Sequence, residues 1–255
     1  MSKMRNVLVT GGSRRIGAAI VRMLAADGWR VIVHYNRSAE AAEQLATEIV
    51  AAGGACQPIQ ADLSQQDQIA GLIGRCVATH GRLDCLINNA SSFFHDDIRT
   101  VTWDSLNELL TPNLIAPVLF GDMHFRFLAY DPLIAYGQSK SACALMAVEA
   151  TRRWAADGIL ANALNPGAIA TNLQKHTGGL KTPPERQKNT AQGAATSVLL
   201  AASPLLAGIG GRYFEDCNEA PIVHQRPADY RGVAAHALDP VLAERLWNDT
   251  LKLTA

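Results

Sequence analysis

Residues 6–17 read NVLVTGGSRRIG, a short β-branched run that leads directly into a glycine-rich turn. The run is typical of a buried strand, and the residues after Gly17 carry Ala, Ile and Leu at helical spacing. Glycines between a strand and a helix allow backbone amides to approach a pyrophosphate at the positive end of the helix. Such a turn also favours glycine for conformational reasons alone, so its meaning depends on the sequence around it.

Short apolar runs alternate with helical patterns through the first third of the chain. Strands are predicted at residues 6–10, 30–34, 56–60 and 83–88, and helices at 16–27, 39–52 and 66–79. This alternation builds a parallel sheet with right-handed crossovers. The sequence therefore predicts an α/β fold, a single doubly wound, Rossmann-type parallel sheet with helices on both faces, formed by residues 1–255 as one domain.

The later part of the chain continues the pattern with weaker signals. Helices are predicted at 103–120, 137–156, 190–202 and 240–251, and strands at 160–164 and 211–215. Trp247 is expected to anchor the last of these helices.

The composition excludes several classes of function. The 255 residues include 23 Lys and Arg and 23 Asp and Glu, and this balance argues against a broad nucleic-acid footprint or a polybasic membrane patch. No apolar run approaches the roughly 18 residues of a membrane helix, so we expect a cytoplasmic protein without nucleic-acid or membrane partners. The five cysteines lack CxxC spacing, which favours buried reduced thiols and no metal site.

The end of the second predicted strand indicates which dinucleotide binds. It reads His34-Tyr35-Asn36-Arg37-Ser38 and lacks the carboxylate that would bind the adenosine ribose of NAD. Arg37, helped by Arg14, could instead hold a 2′-phosphate with its planar guanidinium. The sequence therefore predicts NADP(H), with a solvent-facing Arg37 in a turn as the alternative.

Polar residues follow the third and fourth predicted strands. Asp62 is placed either to accept from the adenine amino group or to cap the helix that begins near Ser64. Asn88-Asn89-Ala90 ends the fourth strand, at the edge where open α/β sheets bind ligands. These asparagines could contact the nucleotide or simply bridge strands.

Tyr136 and Lys140 are spaced one helical turn apart and so share a helix face. A tyrosine with a pKa of about 10 is a poor proton donor near neutrality, and a neighbouring cation should lower that pKa. Tyr136 could then protonate the oxygen of a carbonyl that receives hydride. The motif alone is common, and its weight comes from its position about 125 residues after the glycine turn.

In this order, the glycine turn, Asn88-Asn89-Ala90, Asn113, Tyr136 with Lys140, and Asn165-Pro166-Gly167 with Thr171 resemble the short-chain dehydrogenase/reductase family. The resemblance covers nearly the whole chain. It implies that Lys140 also binds the nicotinamide ribose, that Asn113 holds a relay water, and that Ile169 and Thr171 meet the carboxamide. It further implies a homodimer or homotetramer. The expected nucleotide contacts are Gly11, Ser13, Arg14, Arg15, Ile16, Gly17, Asn36, Arg37, Ser38, Asp62, Leu63, Asn89, Ala90, Tyr136, Lys140, Pro166, Gly167, Ile169 and Thr171.

Two closer resemblances divide the chain. Residues 1–120, with Arg15 in place of the family's middle glycine and with Asn89-Ala90-Ser91-Ser92-Phe93, are similar to pteridine reductases, in which the equivalents of Arg15 and Phe93 meet the pterin. From Asp122 onward, AYGQSK, LNPGAIATNL and GGRYFEDCNEAP resemble the retinol-dehydrogenase-like branch. This division suggests a recombined or chimeric chain.

The segment between Asn113 and Tyr136 is too short for the family pattern. It must hold half a helix, a fifth strand and two loops, which need more residues than the sequence provides. The fifth-strand region is therefore expected to be shortened or replaced, with residues 124–129 as a substitute strand. Residues 114–135 also contain no Ser or Thr, so the family's catalytic hydroxyl is missing. Candidate replacements are Ser91, which is also the expected substrate contact with Phe93, and Ser92 or His124.

These observations favour an NADPH-dependent carbonyl reductase acting on a small or hydrophobic carbonyl substrate. Tyr136 is the expected general acid, Lys140 its electrostatic partner and Asn113 the relay. A pteridine reductase-like activity is the first alternative. The second is a cofactor-binding protein with weak or lost catalysis, which the shortened segment favours.

Overall fold

The computed structural model describes residues 4–90, 132–170, 180, 182–225, 227–229 and 231–254. The chain divides into two compact units, Met1–Phe93 with Pro166–Ser203, and Phe94–Asn165 with Pro204–Ala255. The expectation of one domain over the whole chain stays a prediction.

The helices, in chain order, are α1 (Arg15–Ala26), α2 (Ala39–Ala51), α3 (Gln66–His80), α4 (Pro132–Trp154), α5 (Thr190–Ala202) and α6 (Pro240–Thr254). The strands are β1 (Asn6–Val9), β2 (Arg30–Tyr35), β3 (Ala55–Gln60), β4 (Cys85–Ile87), β5 (Ala163–Asn165), β6 (Tyr213–Glu215), β7 (Asn218–Glu219), β8 (Ile222–Val223) and β9 (Val233–Ala234). Short 3₁₀ helices lie at Ala155–Asp157, Pro184–Arg186, Pro204–Leu206 and Ala235–Leu238.

A parallel sheet with the strand order β3-β2-β1-β4 forms the centre of the first unit. Alternate residues of β1 face opposite sides because side chains alternate along a strand. Val7 and Val9 pack with α1, α2 and α5, whereas Leu8 packs with Leu72 and Cys76 of α3. Helices therefore cover both faces of this sheet, as the sequence predicts.

The second unit is built around α4, α6 and a small sheet. Within the described residues, β5 pairs in parallel with β6, and β6 pairs antiparallel with β7. Leu145 of α4 and Leu246 of α6 are both 99% or more buried in one apolar cluster. The rings of Trp154 and Trp247 meet edge to face at a centroid distance of 5.3 Å, so Trp247 does anchor the last helix.

A buried carboxylate lies on the same helix pair. The side chain of Glu149 is fully buried, and it accepts hydrogen bonds from Arg152 at 2.8 Å and from Arg153 at 2.6 Å. The guanidinium of Arg153 also lies 4.9 Å from the ring centre of Trp247. The two arginines hold the pKa of Glu149 below its usual value, because their hydrogen bonds and positive charges favour the ionised carboxylate.

The predicted elements of the first unit are confirmed, with ends displaced by three residues or fewer. In the second unit, α4 begins at Pro132, five residues before its predicted start. The strand β5 begins at Ala163, three residues after its own predicted start. The strands β7, β8 and β9 were not predicted. The predicted helix at 103–120 and the substitute strand at 124–129 lie outside the described residues.

Within the described ranges, none of the helices combines the length and the apolar character that crossing a membrane requires. The five cysteines are free, but the expectation that all are buried was wrong, because Cys143 and Cys217 are exposed.

We predict that Glu149→Gln lowers the free energy of unfolding by about 1.5 to 3 kcal/mol at pH 7, the usual range for hydrogen bonds to charged groups. The folded-state pKa of Glu149 is lowered, so its contribution is present above its unfolded pKa and disappears as the pH falls through the folded value. The deficit of the variant in urea unfolding should therefore shrink below about pH 4.

The matched control is Glu244→Gln, which removes a carboxylate that pairs with Arg152 at 3.2 Å but is 53% exposed. Exposed ion pairs contribute little, so its stability should stay close to that of the wild type. Equal losses in the two variants would contradict a special role for the buried carboxylate.

Candidate active site

The glycine-rich turn of the first unit packs against the residues that follow β4. Gly11 has φ +59°, in the left-handed region, and a Cβ there would lie 2.9 Å from the Cα of Ala90. A Cβ on Gly17 would lie 2.7 Å from the Nδ2 of Asn89, and closer still to the carbonyl oxygen of Gly11. Both positions therefore require glycine, because the residues after β4 and the turn's own backbone fill the space that a side chain would take; residues 11–17 are called the cradle.

Asn89 connects this turn to β1. Its Nδ2 donates to the carbonyl oxygens of Thr10 at 2.9 Å and Gly11 at 3.1 Å. The hydroxyl oxygen of Thr10 accepts in turn from the backbone amides of Asn89 and Ala90, both at 3.0 Å. Asn89 therefore performs the bridging role, with both protons of its amide used within the protein, and its contact with the nucleotide stays a prediction.

His34 also holds the turn, a role that the sequence analysis missed. The ring is buried, with its Nδ1 at 3.1 Å from the backbone nitrogen of Gly11 and its Nε2 at 3.0 Å from the carbonyl oxygen of Ala61. The backbone carbonyl of the same residue accepts from the amide of Gly12 at 3.0 Å. Its contacts are distant in sequence, so only its place at the end of β2 could have pointed to it.

The amino end of α1 suits an anion. The capping residue Arg14 has no side-chain acceptor for the first amides of the helix, and the first turn carries no acidic residue. Arg14, Arg15 and Arg37 are all exposed. Free helix amides beside exposed guanidiniums are a favourable environment for phosphate groups.

Arg15 occupies an unusual backbone conformation. Its φ is +53°, in the left-handed region that a glycine would adopt without strain. A residue with a side chain pays roughly 1 to 2 kcal/mol for this conformation. The substitution for the family's middle glycine, noted from the sequence, therefore carries a cost in stability.

Asp62 stabilises its own turn. Its Oδ1 accepts from the backbone amide of Ser64 at 2.9 Å and from the Ser64 hydroxyl at 2.8 Å. These bonds lower the pKa of Asp62, and the charge of Arg37 and a hydrogen bond from the Asn36 side chain lower it further. Since α3 begins at Gln66, after Gln65 as its capping residue, Asp62 is not the helix cap that one alternative proposed.

Other predicted contacts of this unit lie in the same turns. Ser13 is half-buried in the glycine turn, Ile16 packs against the core beside the sheet, and Ser38 precedes α2. Leu63 packs against the apolar cluster on the α3 face. Ile16 and Leu63 therefore offer a ligand mainly their backbone.

The segment Pro166–Ile169 is fixed by Lys188, a residue that the sequence analysis did not identify. Gly167 has φ +88°, and the Cδ, Cε and Nζ of Lys188 lie where its Cβ would point, 2.8 to 3.0 Å away. The amide of Lys188 donates to the carbonyl oxygen of Ala168 at 2.8 Å. Ile169 is 5% exposed and its Cδ1 lies over Gly193 of α5, so its backbone rather than its side chain is available to a ligand.

The predicted proton donor lies on α4, in the second unit. Tyr136 and Lys140 share a helix face, and the Lys140 ammonium lies 5.1 Å from the centre of the Tyr136 ring. The side chain of Tyr136 is 39% exposed and that of Lys140 is exposed too. The predicted proximity of phenol and ammonium is confirmed.

The prediction that the pKa of Tyr136 is lowered is wrong. The pKa of Tyr136 is raised, first because partial burial disfavours the phenolate and second because of the nearby Cys143 thiol. Tyr213 of β6 belongs to the same cluster, and burial, Glu215 and these two neighbours raise its pKa to about 12. Cys143, seven residues after Tyr136, follows from helical spacing, whereas no local signal identifies Tyr213.

Several predicted site residues lie outside the described residues. They are the relay Asn113, the substrate contacts Ser91 and Phe93, the candidate donors Ser92 and His124, and Thr171. Their assignments stay predictions.

Known proteins share both the sequence and the fold. A family model for short chain dehydrogenases matches residues 5–130. A probable oxidoreductase of Streptomyces antibioticus is 41% identical, with 95% of each chain covered. Retinol dehydrogenase 14 of Mus musculus is 28% identical, with 96% of this chain and 84% of that protein covered.

A solved structure agrees with these relatives. The short chain dehydrogenase of Burkholderia cenocepacia J2315, in complex with NADP, superposes with a TM-score of 0.68 at 26% identity and covers 82% of this chain and 95% of its own. The alignment with the Streptomyces antibioticus protein runs over 287 positions, more than the 255 residues of this chain, so that relative carries residues that this chain lacks. With a relative this similar along 95% of both sequences, the chain belongs to the short-chain dehydrogenase/reductase family of oxidoreductases.

Proposed function

We propose that this chain is an NADP(H)-dependent reductase of a small or hydrophobic carbonyl compound, with the Tyr136 hydroxyl as proton donor. The observation that carries the proposal is the pair on α4, in which the Lys140 ammonium lies 5.1 Å from the Tyr136 ring centre. Retinol dehydrogenase 14, by its name, acts on an alcohol, and alcohol oxidation is the reverse of carbonyl reduction.

The first unit fits the nucleotide. Gly11 and Gly17 let the cradle pack closely on the residues after β4, and the uncapped amino end of α1 offers amides to a pyrophosphate. Arg37, just after β2, and Arg14, the capping residue of α1, are both exposed and would hold the 2′-phosphate. NADPH, when bound, supplies the hydride for the carbonyl carbon. The complex of the Burkholderia cenocepacia relative with NADP supports this choice of cofactor.

The raised pKa of Tyr136 favours one direction of the reaction. A phenol with a raised pKa keeps its proton at neutral pH, as a donor to a carbonyl oxygen must, but it is also a weaker acid. Alcohol oxidation would instead need the phenolate, which burial disfavours. Lys140, 5.1 Å from the ring centre, is the proposed electrostatic partner of the phenolate that forms as the proton leaves.

The catalytic hydroxyl that the family carries has no counterpart among residues 114–135. Loss of one positioned donor of this kind typically costs about 2.7 to 4 kcal/mol in the transition state. Ser91 is the first candidate to replace it, because it follows Asn89 and Ala90, which pack against the cradle, and Ser92 and His124 are the others.

Two observations favour other functions. Arg15, held at φ +53° in place of a glycine, favours a pterin substrate, because pteridine reductases carry arginine at this position. The residues that this chain lacks relative to the Streptomyces antibioticus protein favour a cofactor-binding protein with weak or lost catalysis. NADPH oxidation with a panel of ketones, diketones and dihydropterins distinguishes the three. Nucleotide-dependent thermal stabilisation without turnover would support the binding protein.

We predict that Tyr136→Phe lowers kcat for ketone reduction by at least about a hundredfold, the usual lower limit for loss of a general acid. Its dissociation constant for NADPH should stay close to that of the wild type. The matched control is Tyr213→Phe, which removes the neighbouring phenolic hydroxyl and should leave turnover nearly unchanged. A larger loss in the Tyr213 variant would contradict the assignment of the proton donor.

We predict that Arg37→Ala raises the KM for NADPH by roughly 10-fold to 100-fold, because a charge-assisted contact to the 2′-phosphate contributes about 1.5 to 3 kcal/mol. The KM for NADH, which lacks this phosphate, should change little and serves as the internal control. An unchanged ratio of the two constants would show that Arg37 only faces solvent.

We predict that Arg15→Gly stabilises the nucleotide-free protein by up to about 1 kcal/mol, because relief of the left-handed strain exceeds the added chain entropy of glycine. The same variant should bind NADPH more weakly, since one positive charge is lost. Arg14→Gly is the control, because Arg14 has an extended backbone with φ −143° and gains no such relief. Thermal unfolding and NADPH titration of both variants test this, and a less stable Arg15 variant would contradict it.

A further inference from the structure

His34 joins three chain segments at the carboxyl ends of neighbouring strands. The ring extends from the end of β2, contacts the backbone amide of Gly11 in the turn after β1, and contacts the carbonyl of Ala61 just after β3. The ring is 2% exposed, so solvent cannot replace either partner. No other side chain among the hydrogen bonds of the described residues contacts the amide of Gly11.

The two partners fix the protonation state of the ring. A backbone amide can only donate, so Nδ1 must present its lone pair to Gly11. A carbonyl can only accept, so Nε2 must carry the proton that it donates to Ala61. His34 is therefore neutral, with its proton on Nε2.

A second proton on the ring would disrupt the turn. It would have to bind at Nδ1, where the Gly11 amide already points its own hydrogen, and two donors would then face each other. The ring cannot turn over to escape, since the opposite nitrogen faces Ala61. Gly11 would then have to move. Its φ of +59° and its close approach to Ala90 fit the present conformation of the turn, so this movement would disrupt the turn.

We propose that His34 is a positioning residue that makes nucleotide binding depend on pH, because only its neutral ring holds the Gly11 turn in the binding conformation. This inference rests on the proposed function, in which the turn receives the pyrophosphate. Protonation of His34 and binding of NADP(H) are then mutually opposed, and each weakens the other by the same factor.

The surroundings of the ring set the pH range. Burial is the largest influence and lowers the pKa of His34, while the hydrogen bond with Ala61 raises it. Of the charged groups near the ring, Arg75 of α3 lowers this pKa and Asp62 raises it. Since the net shift is downward from 6.5, the ring is neutral at pH 7 and the turn is lost only in acid.

The test measures the dissociation constant for NADP⁺ by calorimetry between pH 5.5 and 8, in the wild type and in His34→Asn. The Asn side chain can place an acceptor near the former Nδ1 but cannot be protonated. The 2′-phosphate of NADP⁺ also titrates near pH 6, but it does so with both proteins, so the ratio of their constants isolates the ring. We expect the dissociation constant of the wild type, divided by that of His34→Asn, to be near one at pH 8. This ratio should rise as the pH falls below about 6, by at most about tenfold per pH unit.

Two further variants serve as controls. His34→Gln keeps a donor toward Ala61 but removes the acceptor for Gly11, so it should bind NADP⁺ more weakly at every pH. His80→Asn changes another histidine of the same unit, whose carbonyl accepts from Asn6 at the amino end of β1. It should preserve the pH profile of the wild type.

A measurement on the wild type alone covers the case in which a His34 variant does not fold. Nitrogen NMR of the imidazole, recorded without and with NADP⁺, should show that nucleotide binding lowers the pKa of His34. An unchanged pKa, or a pH-independent ratio of dissociation constants, would overturn the proposal while leaving the proposed function intact. Absence of NADP⁺ binding by the wild type at every pH would overturn both.

Discussion

The first unit depends on the close approach of the glycine turn to the end of β4. Gly11 and Gly17 have no room for a Cβ, because Ala90, Asn89 and the turn's own backbone occupy that space. This approach would leave buried backbone groups without partners, and Asn89, Thr10 and His34 satisfy them. The same residues that pair the backbone thus fix the shape of the cradle.

Much of this architecture follows from local sequence. The strands and helices of the first unit are predictable because β-branched runs and helical spacing are read within a dozen residues. The second unit is harder. Two-residue strands such as β7 carry no periodicity, and the turn before it places Asp216 and Cys217 at positive φ without the glycine that usually marks such a turn. The early start of α4 at Pro132 fits the tolerance of a first helical turn for proline, a signal the periodicity alone does not contain.

Some residues of the candidate site can be recognised from nearby sequence, whereas others depend on contacts that are distant in sequence. Gly11, Gly17 and the Tyr136–Lys140 pair are recognisable because their spacing is local. His34 acts on partners 23 and 27 residues away, and Lys188 packs on Gly167 from 21 residues away, so neither role is written in a motif. The prediction of a lowered pKa for Tyr136 is wrong for a related reason. Spacing brings the ammonium to the ring, but the burial that raises the pKa depends on how the fold packs around Tyr136.

The raised pKa and the missing hydroxyl bear on the same step of the proposed reaction. A carbonyl that accepts hydride develops negative charge on oxygen, and two donors normally share the stabilisation of that charge. With no Ser or Thr in residues 114–135, that charge falls to Tyr136 and to whichever of Ser91, Ser92 and His124 replaces the missing hydroxyl. A phenol that holds its proton tightly transfers it late, when the oxygen has already become basic. Substrates that develop charge easily, such as diketones and other activated carbonyls, need less stabilisation of the negative charge on the oxygen. Both features favour activated carbonyl compounds as substrates of the proposed reductase.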